Sequence, residues 1–416
     1  MSKHLVILGG GVSGLAAAEA CAKRGHRVTL IERHGPTRTG CSYGNAGMVV
    51  PSHFVPMAAP GMVGLGLKWM WNPESPFYIK PRLDPALARW GRLFVKSATR
   101  AHIERCAPLL RDLHLASREA YQAFASEGGD IGLVSEGLMM LCRQPHTLDE
   151  EAAMAAKAES LGIPARVLDS AAAARLDPGI TMDIAGAVHY PKDCHLSPER
   201  YLAALQRRAA DLGVEFLWQT ELREFIRDGR RIRAALTSAG EIAGDGFILC
   251  GGIWSERLIR RLGLRLPMQA GKGYSVTLPA PVQLPRLCSI LTEARVAVTP
   301  MGGALRFGGT MEMAGLNETV TPRRVEGILR AASQYFPAFE RTHFDGLQPW
   351  HGLRPCSPDG MPYLGRTAAA DNLLVATGHA MMGLSMGPVT GAIIARLADD
   401  EPPGFDLTLL HPDRFA

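Results

Sequence analysis

The segment from Leu5 to Glu32 constrains this chain more than any other. Leu5-Val6-Ile7-Leu8 is an uninterrupted apolar run that stops at Gly9-Gly10-Gly11-Val12-Ser13-Gly14. An alanine-rich stretch with helical spacing follows, then a second apolar run, Val28-Thr29-Leu30-Ile31, closed by Glu32. Two short buried strands separated by a helix read as a βαβ unit. Gly9, Gly11 and Gly14 stand at the G-x-G-x-x-G spacing: the first allows a tight turn, the second lets the backbone approach a pyrophosphate, and the third lets helix and strand pack closely. The helix N-terminus offers unpaired N–H groups to an anion. Glu32 stands where a carboxylate accepts from an adenosine ribose and repels a 2′-phosphate. A ligand-free strand-turn-helix is the alternative reading, and the strand, helix and Glu32 standing together in register weigh against it. The motif leaves FAD and NAD open.

A chain of 416 residues that is 47% hydrophobic and 20% charged can bury a large core and divides most simply into two domains. The net charge of +5 is small for this length, and no basic cluster is interleaved with aromatics, which argues against a nucleic-acid partner. The eight cysteines are scattered without a C-x-x-C pair or a close histidine group, so the expectation is reduced thiols, no metal and a cytoplasmic setting. The N-terminal apolar run ends too soon for a signal peptide, and no stretch is long enough to cross a bilayer.

Beyond Glu32, the Gly/Pro/Ser-rich segment 35–60 is too long for an ordinary connection and reads as a functional loop. The apolar stretch from Met57 to Trp71 is either core or a surface patch for a membrane or partner. Residues 85–126 carry two or three helical segments, Leu133 to Leu141 reads as a strand, and Asp149 to Leu161 as a helix. Ser197 as N-cap with Pro198 at the first helical position starts a helix that runs to about Leu212. Strands follow at 214–217, 232–236 and 246–250, the last ending in Gly251 and Gly252. Alternating patterns between 264 and 344 imply a mainly antiparallel second sheet. A strand from Asn372 to Thr377 then leads into a glycine turn and a helix from Gly383 to Ala398. The expected fold class is α/β plus α+β. A discontinuous Rossmann-like dinucleotide-binding domain is expected over 1–60, 193–262 and 346–416, and a substrate domain over 61–192 and 263–345.

Several segments together resemble the FAD-dependent D-amino-acid dehydrogenases of the glycine/sarcosine/D-amino-acid oxidase group, over nearly the whole chain. They are the N-terminal βαβ unit, Cys41-Ser42-Tyr43-Gly44-Asn45-Ala46-Gly47-Met48, Lys272-Gly273-Tyr274-Ser275, Trp350-His351-Gly352-Leu353-Arg354-Pro355, the run from Ser357 to Gly365, and Thr377-Gly378-His379. The resemblance implies FAD as cofactor. It places Asn45, Ala46, Gly47 and Met48 beside the isoalloxazine, and Gly383, Leu384, Ser385 and Met386 at a helix start whose dipole faces the flavin pyrimidine. Further expected cofactor contacts are Val12, Ser13, Arg33, Ser42, Gly251, Trp254 and Gly378. Arg354 corresponds to the family's carboxylate clamp, for which a guanidinium fork is suited. Tyr274 and His53 are expected on the substrate side, with Lys272, His351 and His379 as weaker polar candidates. Met381 and Ala297 replace an arginine and a tyrosine of the glycine-oxidase pattern, which implies a roomier, more apolar pocket.

The implied reaction is oxidation of a D-amino acid by hydride transfer from Cα to flavin N5, with the imino acid hydrolysing to a 2-oxo acid. No dedicated side-chain base is demanded if the amine binds neutral, because orientation by Arg354 supplies proximity and alignment. Two alternatives are a dehydrogenase or oxidase of cis-4-hydroxy-D-proline yielding a cyclic imine, and a non-catalytic flavin-binding subunit. The electron acceptor is expected to be a quinone or O₂, with peripheral contact to the inner membrane through an apolar segment.

Overall fold

The computed structural model describes residues 1–37, 40–69 and 74–416. The βαβ unit forms as its periodicity dictates: β1 (His4–Leu8), α1 (Val12–Lys23) and β2 (Arg27–Ile31). β1 is the spine of a six-stranded sheet ordered Tyr363–Arg366, Leu373–Thr377, Gly246–Leu249, β1, β2, Glu215–Leu217. All neighbours run parallel except the edge strand Tyr363–Arg366. Strands buried on both faces need continuous apolar runs, and Leu5 to Leu8 are at most 2% exposed. The unit is therefore assembled from the two ends and the middle of the chain. The helix Gly387–Ala398 lies so close to α1 that a Cβ at Gly391 would stand 2.5 Å from Ala16 O.

The second sheet has nine strands and is mainly antiparallel. Its order is Trp350–Cys356, Gln269–Leu278, Ala304–Met313, Val296–Met301, Cys288–Leu291, Leu138–Cys142, Gly186–Tyr190, Arg166–Asp169, with Phe77–Ile79 added in parallel to Ala304–Met313. Leu138–Cys142 pairs in parallel with Cys288–Leu291. Its inner face packs on the helix Pro322–Tyr335, with Phe307, Phe336, Phe339 and Phe344 in edge contacts. The expected helix from Ser197 is present as Pro198–Asp211, with Ser197 Oγ accepting from Arg200 N–H.

Four local expectations change. The strand expected from Leu133 begins at Leu138, because Gly137 sits at φ +105° and a Cβ there would overlap His189. The C-terminal helix begins at Gly387 rather than Gly383, since residues 383–386 form turns after a 3₁₀ segment, Ala380–Met382. Residues 350–356, expected with the FAD-binding ranges, form an edge strand of the second sheet. The helix Arg100–Ser126, expected with the substrate ranges, packs beneath the dinucleotide unit: Tyr121 Oη donates to Leu384 O at 2.7 Å and Val389 N–H donates to Ser117 Oγ at 3.2 Å. The apolar stretch from Met57 includes a helix, Met62–Trp69, while Met70 and Trp71 lie outside the described residues.

Candidate active site

Two cavities meet between the sheets. The larger, about 1030 Å³, lies along the C-terminal ends of β1, β2 and Gly246–Leu249, the edge where open α/β sheets bind ligands. The smaller, about 490 Å³, lies against the nine-stranded sheet. Cys41, Asn45 and Trp350 line both. The loop expected to be functional is what joins them. Its residues 40–43 face the larger cavity, and Gly44, Ala46, Met48, Val50, His53 and Met57 face the smaller.

The glycine turn separates packing from ligand space. Gly9 sits at φ +113°, where a Cβ would meet Cys250 O at 2.5 Å, and a Cβ at Gly14 would meet Gly9 O at 1.8 Å; both are required by the fold itself. Gly11 is different. Its φ is −71°, and a Cβ there would meet nothing nearer than Ser42 Oγ at 3.5 Å. The chain does not need glycine at this position, but a pyrophosphate approaching the first turn of α1 does. Ser42 Oγ accepts from Val12 N–H at 3.1 Å and so fastens the loop to the helix start. Glu32 accepts from Gly10 N–H at 2.7 Å and His34 N–H at 3.0 Å; a carboxylate keeps further lone pairs after two bonds. The Arg33 guanidinium stacks over the Trp254 ring at 3.7 Å.

Gly9, Gly11, Val12, Ser13, Glu32, Arg33, Ser42, Asn45, Gly251, Trp254, Gly383 and Leu384 all line the larger cavity. The remaining cofactor expectations fall elsewhere. Gly14 is inside the strand-helix contact, Ala46 and Met48 face the smaller cavity, and Gly47, at φ +75°, packs on Leu196 O. Gly378, at φ +79°, packs on the Tyr363 ring. Ser385 and Met386 are buried: Ser385 Oγ accepts from Val50 N–H at 3.0 Å and pairs with His114 Nδ1 at 2.7 Å. Ser385 thus holds the loop against the helix beneath it, and its side chain turns away from the cleft.

Arg354 lines the smaller cavity. Its guanidinium lies flat over Gly273, where a Cβ would stand 2.1 Å from Nη2, and Nη1 donates to Thr310 O at 2.7 Å. Thr310 takes φ +67° to present that carbonyl. Among the described residues no carboxylate lies within 4.0 Å of Arg354, so the cation keeps donors for a ligand. The rest of the wall is mostly apolar, with Met57, Met311, Met313, Phe77, Phe94 and Trp90. Ala297 and Met381 line it too.

Tyr274 and His53 reach the same cavity in different states. Tyr274 Oη donates to Glu312 at 2.6 Å and accepts from Thr321 N–H at 3.3 Å, while burial and the Glu312 carboxylate push its phenol up to about 12. It lines the cavity, with its hydroxyl engaged by Glu312 and Thr321. Burial pushes His53 down to about 4, and its Nδ1 pairs with Ser52 Oγ at 3.1 Å. Lys272 is 1% exposed, donates to Thr319 O and faces Glu312; it does not solvate its strand and lines neither of these two cavities. His351 and His379 line the larger cavity, and His379 Nε2 is bonded to Thr390 Oγ1 at 3.0 Å. Sequence reasoning missed Trp350 as a wall between the cavities. A Cβ at Gly44 or Gly352 would overlap its indole, and two glycines flanking an aromatic in space leave no local signal.

Two adjoining cavities at this edge of the sheet suit a nucleotide cofactor set beside a small substrate. The chain belongs to the FAD-dependent oxidoreductase family whose model, described as DAO, matches residues 4–397. It is 31% identical to a D-amino acid dehydrogenase of Bradyrhizobium diazoefficiens and 32% identical to one of Paramagnetospirillum magneticum, covering 99% of this chain with 99% and 98% of the relatives. A glycine oxidase from Geobacillus kaustophilus superposes with a TM-score of 0.77 at 26% identity, over 100% of this chain and 99% of that one. The chain is therefore an FAD-dependent enzyme, and Gly11, the one glycine of the three-glycine motif that faces ligand space, fits that cofactor.

Proposed function

We propose that this enzyme oxidises a D-amino acid at Cα, with FAD in the larger cavity and the amino acid in the smaller. One observation carries this reading. Arg354 is a half-buried guanidinium without a carboxylate partner among the described residues, set in a mostly apolar wall that also holds Arg295 and adjoins the dinucleotide cleft. A planar, forked cation in that setting suits an α-carboxylate. The full-length likeness to D-amino acid dehydrogenases supports the same substrate class.

FAD, when bound, supplies the acceptor for the hydride leaving Cα. The first turn of α1, Glu32, Arg33 with Trp254, and the backbone around Asn45, Gly251 and Gly383 would hold it, with Glu32 suited to the ribose. The six-stranded unit is the FAD-binding domain and the nine-stranded sheet carries the substrate wall. Arg354 fixes the carboxylate end of the substrate, Trp350 divides it from the nucleotide, and the methionine-rich wall takes an apolar side chain or ring. A cyclic substrate such as cis-4-hydroxy-D-proline fits the same wall. A quinone acceptor and a cytoplasmic setting at the inner membrane complete the reading. The free cysteines support the setting, as does the finding that no helix among the described residues is long and apolar enough to cross a membrane.

Anaerobic bleaching of the holoenzyme with a panel of D-amino acids and D-hydroxyproline tests this. Bleaching by one class identifies the substrate, and no bleaching by any D-amino or D-imino acid refutes the reading. Reoxidation by O₂ against a soluble quinone analogue then identifies the acceptor.

A further inference from the structure

A chain of hydrogen bonds leaves the smaller cavity for the interior. His53 lines that cavity, and among the described residues its Nε2 has no partner. Its Nδ1 pairs with Ser52 Oγ at 3.1 Å, and Ser52 Oγ pairs with Asp193 Oδ2, while Ser52 N–H donates to Asp193 Oδ1 at 3.0 Å. Asp193 is wholly buried, and among the described residues no cation lies within 4.0 Å of it. A carboxylate in such a place carries a large desolvation cost unless it takes up a proton.

Building on the D-amino-acid reading, we propose that His53, Ser52 and Asp193 form a proton relay that takes the substrate's ammonium proton out of the smaller cavity before Cα is oxidised. The donor count dictates its direction. Ser52 has one hydroxyl proton. With Asp193 ionised, Ser52 donates to Asp193 and accepts from His53 Nδ1–H, which leaves the Nε2 lone pair facing the cavity. One N–H bond of the ammonium then breaks as an Nε2–H bond forms. The Nδ1 proton passes to Ser52 Oγ, and the Ser52 proton passes to Asp193. The sum is ammonium plus carboxylate giving neutral amine plus carboxylic acid, with no change in redox state. Arg354 holds the substrate's other end, and a neutral amine is the form whose lone pair assists hydride departure.

The surroundings suit the terminus. Burial pushes the Asp193 carboxyl up to about 7, its bonds to Ser52 and the more distant Arg118 drawing it partly back. The other titratable neighbours, Tyr190, Cys194 and Cys288, are held neutral by burial. Arg295 and His114 are the charged or titratable groups facing His53, and burial keeps His114 neutral.

Asp193→Asn is the informative variant. The amide keeps the bond to Ser52 N–H but donates to Ser52 Oγ, which turns the chain around and fixes His53 as the Nε2–H tautomer. The expected loss in kcat/KM is about 10²–10⁴-fold at neutral pH, shrinking as the pH nears the amine pKa of the free substrate. Ser52→Ala should behave likewise and Ser52→Thr should restore the wild-type profile, with FAD content and thermal midpoint as controls of folding. A second readout uses 2-methylalanine, which has no Cα–H to lose. Its binding to the wild-type holoenzyme should produce an infrared band of a protonated carboxyl, absent in Asp193→Asn and in Ser52→Ala. A loss equal at every pH, or a wild-type enzyme without that band, overturns the relay. Wild-type bleaching by D-amino acids in that case leaves the substrate reading standing.

Discussion

Arg354→Ala removes a cation that, among the described residues, makes one hydrogen bond, to Thr310 O, and no ion pair. Little of its energy is invested in the fold, so the loss falls on ligand binding. Truncating one partner of a desolvated, hydrogen-bonded charge pair costs about 2–5 kcal/mol, which is about thirty-fold to a few thousand-fold in affinity. Arg354 faces the smaller cavity and not the larger, so FAD content should equal that of the wild type. The assay is anaerobic titration of flavin bleaching together with steady-state kinetics on an artificial acceptor, for wild type, Arg354→Ala and Arg354→Lys. Alanine should abolish saturation by substrate. Lysine should recover only part of the affinity, because a point charge cannot form the two parallel bonds of the guanidinium fork. An unchanged KM, or loss of FAD with substrate affinity retained, would refute the assignment.

Gly11→Ala should leave thermal stability within about 0.5 kcal/mol of wild type yet weaken FAD binding, because the new methyl group enters only ligand space; fluorescence titration of apoprotein with FAD measures it. Gly14→Ala should instead fail to fold or lose several kcal/mol, since its Cβ would stand 1.8 Å from Gly9 O. Tyr274→Phe should lower stability by about 1–3 kcal/mol by leaving Glu312 short of a donor, read as a fall in thermal midpoint. The midpoint should also fall with acid. His53, His195 and His379 are pushed by burial to about 4 and His114 to about 3, below the ordinary 6.5. The unfolded chain therefore binds more protons below about pH 6.5, and stability drains away until the pH passes below about 4. Asp193, raised to about 7, acts in the opposite sense over the same range and offsets part of the loss. A midpoint flat from pH 7 to pH 4 would contradict this account.

The cofactor half of the site was legible because its signals are local. The spacing of Gly9, Gly11 and Gly14, the apolar runs of β1 and β2, and Glu32 all lie within one βαβ unit, where strand and helix periods fix which residues meet. The Ser197–Pro198 helix start was legible for the same reason. Sequence could not say that Gly11 differs from its neighbours; the distances a Cβ would have to Cys250 O, Gly9 O and Ser42 Oγ depend on segments far along the chain.

The substrate half was legible only as a resemblance. The sequence by itself determined a dinucleotide-binding unit, a mainly antiparallel second sheet and a candidate arginine. Only the tertiary structure decided that Gly273 makes room for that arginine, that Tyr274 surrenders its hydroxyl to Glu312, and that Ser385 turns inward to His114. It also brought Ser52 onto Asp193 across 141 residues of chain. Hydrophobic periodicity specifies which face of an element is buried, but says nothing about which distant element covers it. That choice is made by side-chain packing and by the need of every buried polar group for a partner.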